Sequence, residues 1–117
     1  MDLYGPSMTA LRAFSTKTTV VADNLANALT PGYKAQRVHM VEVPGGGVTV
    51  TISRDLTPGP DRPEPDGALG SGPREGSNVD LARESVNLIT SQRFYQANAR
   101  AFMAQAQTKG RIFDLIG

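Results

Sequence analysis

The chain has 117 residues, with 12 basic and 11 acidic side chains, four Phe, three Tyr, no Trp and no cysteine. That length holds one domain at most, and a net charge of +1 supplies no bulk field to draw the chain onto nucleic acid or an anionic lipid surface. The absence of cysteine excludes a disulfide framework and a thiolate metal site, and it leaves the redox compartment open.

The first predicted element is a helix from about Gly5 to Ala28. Pro6 suits its first turn, where a missing N–H costs nothing. Tyr4, Ser7, Leu11, Phe14, Thr18, Val21, Leu25 and Ala28 alternate spacings of three and four, the pattern of an a/d seam. Ser7 and Thr18 dilute the seam, and Thr16, Thr18, Thr19, Val20 and Val21 are poor helix formers, so this helix is marginal alone. Thr30 precedes Pro31 and is pushed out of the α region. Pro31 and Gly32 suit the two central positions of a type II turn.

The middle, from about Tyr33 to Gly76, has a different character. Val38 to Val43 and Val48 to Ile52 are β-branched runs that bracket Pro44-Gly45-Gly46-Gly47, which predicts a hairpin. Val48, Val50 and Ile52 alternate with Thr49, Thr51 and Ser53, giving one apolar and one polar face. After Leu56 the sequence turns to Pro and Gly, with six of the eight prolines between 44 and 73. The stretch Pro58 to Gly76 has little to bury and reads as an extended loop. Residues 41–77 also hold six acidic and three basic side chains, whereas the helical ends are net basic.

The last predicted element is a long helix from about Val79 to Ile116. Asn78 or Asp80 can cap it, Glu84 sits near the positive end of its dipole, and Lys109 and Arg111 sit near the negative end. Leu81, Ser85, Leu88, Gln92, Tyr95, Ala99, Phe102, Ala106, the polar Lys109 and Phe113 form a seam that alternates four and three. Val79, Ala82, Val86, Ile89, Ala97, Ala101 and Ala104 form a second apolar row, so the apolar arc is broader than one seam needs. At ~1.5 Å per residue this helix is about 55 Å long and the first about 35 Å, so a stripe stays uncovered in a monomer.

No constellation of residues points to catalysis or to a cofactor. His39 has no cysteine or second histidine for a metal site and reads as a strand-surface residue. Asp61, Glu64 and Asp66 read as a solvated acidic run. Gly45-Gly46-Gly47 lacks the Lys-Ser/Thr of a phosphate loop and reads as a turn. Ser85 and Ser91 have no histidine base, and Arg83, Arg93 and Arg100 read as a solvated or partner-facing helix side. A secretory signal needs an apolar run of roughly 7–15 residues behind a basic start, and Arg12, Lys17 and Asp23 interrupt the first thirty residues. Nothing approaches the ~18 apolar residues of a membrane span. Work outside the cytoplasm would need a route that reads no cleaved signal.

Two motifs at opposite ends carry a resemblance. Asp23-Asn24-Leu25-Ala26-Asn27, followed by Thr30-Pro31-Gly32-Tyr33-Lys34, resembles the N-terminal signature of bacterial flagellar rod and hook proteins. Ser77-Asn78-Val79-Asp80-Leu81-Ala82-Arg83-Glu84, with Ser91-Gln92-Arg93-Phe94-Tyr95-Gln96-Ala97-Asn98, resembles the matching C-terminal signature. With flanking helix, the resemblance covers about two thirds of the chain. Its short middle is most similar to a proximal rod subunit of the type labelled rod protein C. It differs there, because Pro58 to Gly76 replaces a Tyr- and His-Pro-containing stretch of that type.

The resemblance implies a mainly α fold. N- and C-terminal helices (1–32 and 77–117) pair as an antiparallel coiled coil, with a short β-hairpin and Pro/Gly-rich loop (33–76) between them. It implies a structural subunit of the basal-body rod, not an enzyme, with no cofactor. Its partners would be itself, other rod proteins and the flagellar type III export apparatus, with neither nucleic acid nor membrane insertion. It would be exported without signal cleavage and polymerise in the periplasm-spanning rod. Candidate interface residues are Leu11, Phe14, Val21, Asn24, Leu25, Asn27, Tyr33, Leu81, Leu88, Gln92, Tyr95, Asn98 and Phe102. Asn24 and Asn27 share one helix side and can bond across to a neighbouring subunit, or they can simply form a C-terminal helix turn. Gln92, Gln96 and Asn98 invite the same pair of readings, whereas Tyr95 and Phe102 suit seam packing. The alternative function is a cytoplasmic coiled-coil adaptor that dimerises through the same seams.

Overall fold

Proline and glycine mark several of the element boundaries among the described residues. The computed structural model describes residues 4–63 and 74–117. Helix α1 spans Gly5–Ala26, with Pro6 in its first turn. The Thr18 and Thr19 hydroxyls donate back to the Phe14 and Ser15 carbonyls, which accommodates these weak helix formers without leaving their polar groups bare. The helix ends two residues before the expected Ala28, and the Asn27 N–H is shared between the Asp23 and Asn24 carbonyls. Gly32 then has φ 70°, and the Tyr33 N–H donates to the Thr30 carbonyl at 3.2 Å, as the Pro31-Gly32 turn requires.

Strands β1 (Gln36–Glu42) and β2 (Val48–Arg54) form an antiparallel hairpin whose register runs from Gln36↔Arg54 to Glu42↔Val48. Its tip needs three glycines, because Gly45, Gly46 and Gly47 all have φ between 95° and 101°. The hairpin lies along α1. The Val48 N–H donates to the Thr9 hydroxyl at 3.1 Å, and a Cβ at Gly47 would stand 2.6 Å from that same oxygen.

The two ends of the Pro/Gly-rich stretch are tied together. β3 (Asp61–Arg62) pairs antiparallel with β4 (Arg74–Glu75), and the Gly76 N–H donates to the Pro60 carbonyl at 2.7 Å. The backbones meet so closely that a Cβ at Gly59 would stand 2.1 Å from the Gly76 carbonyl oxygen. The expectation of a wholly loose loop is therefore corrected at its base. The remainder of the expected loop, with Glu64 and Asp66, lies outside the described residues.

Helix α2 spans Leu81–Ile116. Of the two cap candidates Asp80 is the one used: its carboxylate accepts the Arg83 N–H at 3.1 Å, so the helix starts two residues later than Val79. The helices run antiparallel. Asn24 meets Glu84, Phe14 stacks on Phe94 with ring centroids 5.3 Å apart, Tyr4 meets Phe102 at 5.2 Å, and Ser7 bonds Gln105 at 3.2 Å. The Lys109 ammonium sits over the Tyr4 ring, 5.0 Å from its centroid.

The contacting row of α2 differs from the expected seam. Leu88 and Phe102 belong to both, but Glu84 and Ser91 are buried where Ser85 and Gln92 were expected. The helix turns its contact face one residue earlier because Glu84 has buried partners to reach. Few apolar side chains are fully enclosed: Ala13, Val20, Val21 and Ala35 are the buried ones among the described residues. The radius of gyration is 20.9 Å, against about 13 Å for a compact chain of this length. The molecule is a rod of 80 × 24 × 17 Å with a thin core.

Candidate functional site: a polar joint and an open helix face

Where α1 ends and α2 begins, residues from both ends of the chain meet. Asn24, in the last turn of α1, has no solvent exposure. Its Nδ2 donates to the Gln36 carbonyl at 2.9 Å and to Glu84 Oε2 at 3.2 Å. Its Oδ1 accepts the Gln36 N–H at 2.8 Å and the Tyr33 hydroxyl at 3.2 Å. All four positions of the carboxamide are used. The side chain reads both main-chain groups of Gln36 as a neighbouring strand would, and so starts β1 at a fixed place beside α1.

Glu84 is buried together with its charge. Its second oxygen accepts Arg37 Nη1 at 2.7 Å, and Arg37 Nη2 reaches Asp55 at 3.3 Å. A buried carboxylate is tolerated only when it is paired and hydrogen-bonded, and here both oxygens are. Thr57, by its side chain first and then its amide, together with Arg37, holds the Asp55 carboxyl below its ordinary range.

Asn78 closes the joint from the other side. Its Oδ1 accepts the Ala35 N–H at 2.7 Å, and its Nδ2 donates to the Asp55 and Thr57 carbonyls, each at 2.8 Å. Lys34 bonds Glu75, which also accepts the Gly59 N–H at 2.7 Å, and these donors lower the Glu75 carboxyl as well. The Gly32 N–H donates to the Glu75 carbonyl at 2.9 Å. Thus Asn24, Tyr33 and Lys34 from one signature are bound to Glu84 and Asn78 of the other and to Glu75 beside it.

The structure sorts the sequence-derived interface residues into four groups. Asn24 and Tyr33 lie in the joint. Asn24 makes its bonds within the chain, not outward, because Gln36 and Glu84 saturate it. Asn27 donates to the Asp23 carbonyl and accepts from Thr30, which is the plain helix-turn reading. Val21 is buried, and Leu11, Phe14, Leu25, Leu88, Asn98 and Phe102 are half-buried. Asn98 donates to the Phe94 carbonyl of its own helix. Leu81, Gln92 and Tyr95 remain exposed. Gln92 and Tyr95 line a shallow groove with Ser15, Thr18, Thr19 and Gln96.

Sequence reasoning missed Glu84, Arg37, Asp55 and Asn78 as a network. The available signal was Glu84 itself, which lies four and seven residues before Leu88 and Ser91 and hence on their helix face. A carboxylate on a packing face needs a cation, and Arg37 on the adjoining strand supplies it.

Away from the joint, α2 carries an open apolar face. Val86, Ile89 and Met103 are each more than half exposed, as are Ile112, Phe113, Leu115 and Ile116 beyond the start of α1. Among the described residues there is no cluster of His, Cys, Asp and Glu fit to hold a metal, and no helix is long and apolar enough to cross a membrane. His39 is on the strand surface beside the Ser53 hydroxyl, at 2.9 Å.

Comparison with known proteins bears on the same segments. A family model described as flagella basal body rod protein matches residues 7–34. A second, described as flagellar basal body rod FlgEFG protein C-terminal, matches residues 71–115. The flagellar hook protein FlgE of Escherichia coli (strain K12) is 45% identical over 49 residues, which is 42% of this chain and 12% of that protein. FlgE of Salmonella typhimurium (strain LT2) is similar to the same degree. The chain therefore spans a small fraction of the length of these hook relatives.

Proposed function

Because this chain belongs to the family of flagellar basal-body rod and hook proteins, a family of structural components and not of enzymes, we propose that it is a subunit of the basal-body rod. In this reading α1 and α2 form an antiparallel coiled coil. The subunit polymerises through the apolar faces of its terminal helices into the axial shaft, with itself and with other rod proteins. The type III export apparatus delivers it without cleavage of a signal.

The observation that carries the reading is the pairing of the joint with the open face. Glu84, Arg37 and Asn24 fix α2 rigidly at one end. The rest of that 36-residue helix leaves large apolar side chains in water. Such a face on a molecule with so thin a core is surface reserved for neighbours. The short stretch between the two matched segments favours a proximal rod subunit, most like the type labelled rod protein C. Large inserted domains would have no place within residues 35–70.

Deleting the gene in its source cell should leave cells without filaments and non-motile, and the intact gene should restore both. Normal motility after a clean deletion would overturn the reading. A cytoplasmic adaptor predicts instead that the chain stays in the cytoplasm as a closed dimer, which fractionation of the same cells would reveal.

A further inference from the structure

Between α1, β1 and the start of α2 runs a cleft lined in part by Lys17, Arg37, His39, Asp55, Arg83 and Glu84. Its charges are unevenly satisfied. Arg37 is held by Asp55 and Glu84. Lys17 and Arg83 have no ion-pair partner among the described residues. No carboxylate precedes Asp23 on α1 to offset Lys17. Arg83 stands in the first turn of α2, the positive end of the helix dipole, where a cation is disfavoured and an anion welcome. Asp80 and Glu84, the acidic residues beside it, are committed to the cap and to the joint. The cleft is thus built to take negative charge from outside.

We propose that its occupant is the acidic Asp61–Asp66 segment of a second copy of this chain. The proposal rests on the rod-subunit reading and adds to it a contact separate from the helix faces. Residues 41–77 carry six acidic side chains against three basic ones. Asp55 and Glu75 are engaged by Thr57 and Lys34. Three of the others, Asp61, Glu64 and Asp66, fall within six positions of the sequence, beside Pro63 and Pro65. The base of that segment is tied beside Leu29 and Gly32 by Arg62 and Glu75. Lys17 lies twelve residues back along the chain from Leu29, roughly 18 Å at helical rise, so it stands apart from the point where the base of its own segment is tied. Opposite charges arranged this way set register more than affinity.

The cysteine-free chain makes the test direct. One full-length copy carries Asn87→Cys in the cleft; a second, made larger by a tag, carries Gly67→Cys. Mild oxidation should give a mixed-size disulfide species in the sedimenting fraction. That species should be lost when the first copy also carries Lys17→Glu and Arg83→Glu, and should return when the second also carries Glu64→Lys and Asp66→Lys. Lys17→Gln with Arg83→Gln should weaken it, with unchanged circular dichroism confirming the fold. The proposal falls if assemblies sediment without the mixed species, if the species survives charge reversal, or if a third copy, made with both cysteines, closes the link internally while the mixed species does not form. If no copy sediments under any condition, the polymerisation reading and this contact fall together.

Discussion

Asn24 and Glu84, sixty positions apart, are joined by a buried hydrogen bond of 3.2 Å. Through it the last turn of α1 is fixed to the first turn of α2, and through Gln36 the hairpin is fixed to both. Because four donors and acceptors converge on one carboxamide, the site tolerates no close substitute. Asn24→Ala should destabilise the fold by about 3 kcal/mol, since it leaves several buried groups unpaired. Asn24→Asp should be at least as damaging, because a carboxylate oxygen would then face Glu84 and the Gln36 carbonyl. Urea denaturation of the three proteins gives the order directly.

The pair Arg37–Glu84 predicts strong coupling. Arg37→Met alone leaves the buried Glu84 carboxylate without its cation, and Glu84→Leu leaves Arg37 with Asp55 alone, whereas the double variant removes both charges of the buried pair. A double-mutant cycle should yield a coupling of about 1–3 kcal/mol, with the double variant more stable than Glu84→Leu would suggest. Simple additivity would mean the ion pair is incidental.

Gly59 is fixed by contact, not by dihedral preference. A methyl group there would overlap the Gly76 carbonyl oxygen, so Gly59→Ala must part the two backbones. The expected result is faster amide hydrogen exchange at Gly76, whose N–H donates to Pro60, with the helices unchanged by circular dichroism.

Acid should loosen the middle of the chain before the helices. Asp55 and Glu75 have carboxyls pushed below their ordinary values of 3.8 and 4.5 by Thr57 and Lys34 respectively. A lowered native pKa means the unfolded chain binds more protons in acid, so the contribution is complete above 4.5 and is lost as pH falls through the native values. Denaturation midpoints should be flat above that pH and decline below it. Lys34→Met should reduce the decline.

Much of the architecture was legible because its cause is local. Pro31-Gly32, the triple glycine at 45–47 and the Asp80 cap each dictate backbone geometry where they stand. The joint was not legible, because its chemistry depends on tertiary neighbours. Asn24 looked like an outward-facing polar residue until Gln36 came to lie against it, and Glu84 looked like a dipole partner until Arg37 approached. The one-residue shift of the α2 contact face has the same origin. Heptad spacing marks the apolar row, whereas the buried carboxylate decides which side of that row turns inward.

The most direct test of the central claim is sedimentation of the purified full-length chain beside Ile89→Asp, a change on the exposed face of α2. The account predicts that the wild-type chain forms large, concentration-dependent assemblies. Ile89→Asp should remain monomeric with an unchanged helical spectrum. A wild-type chain that stays a monomer or closed dimer at every concentration, or an Ile89→Asp chain that assembles like wild type, would contradict it.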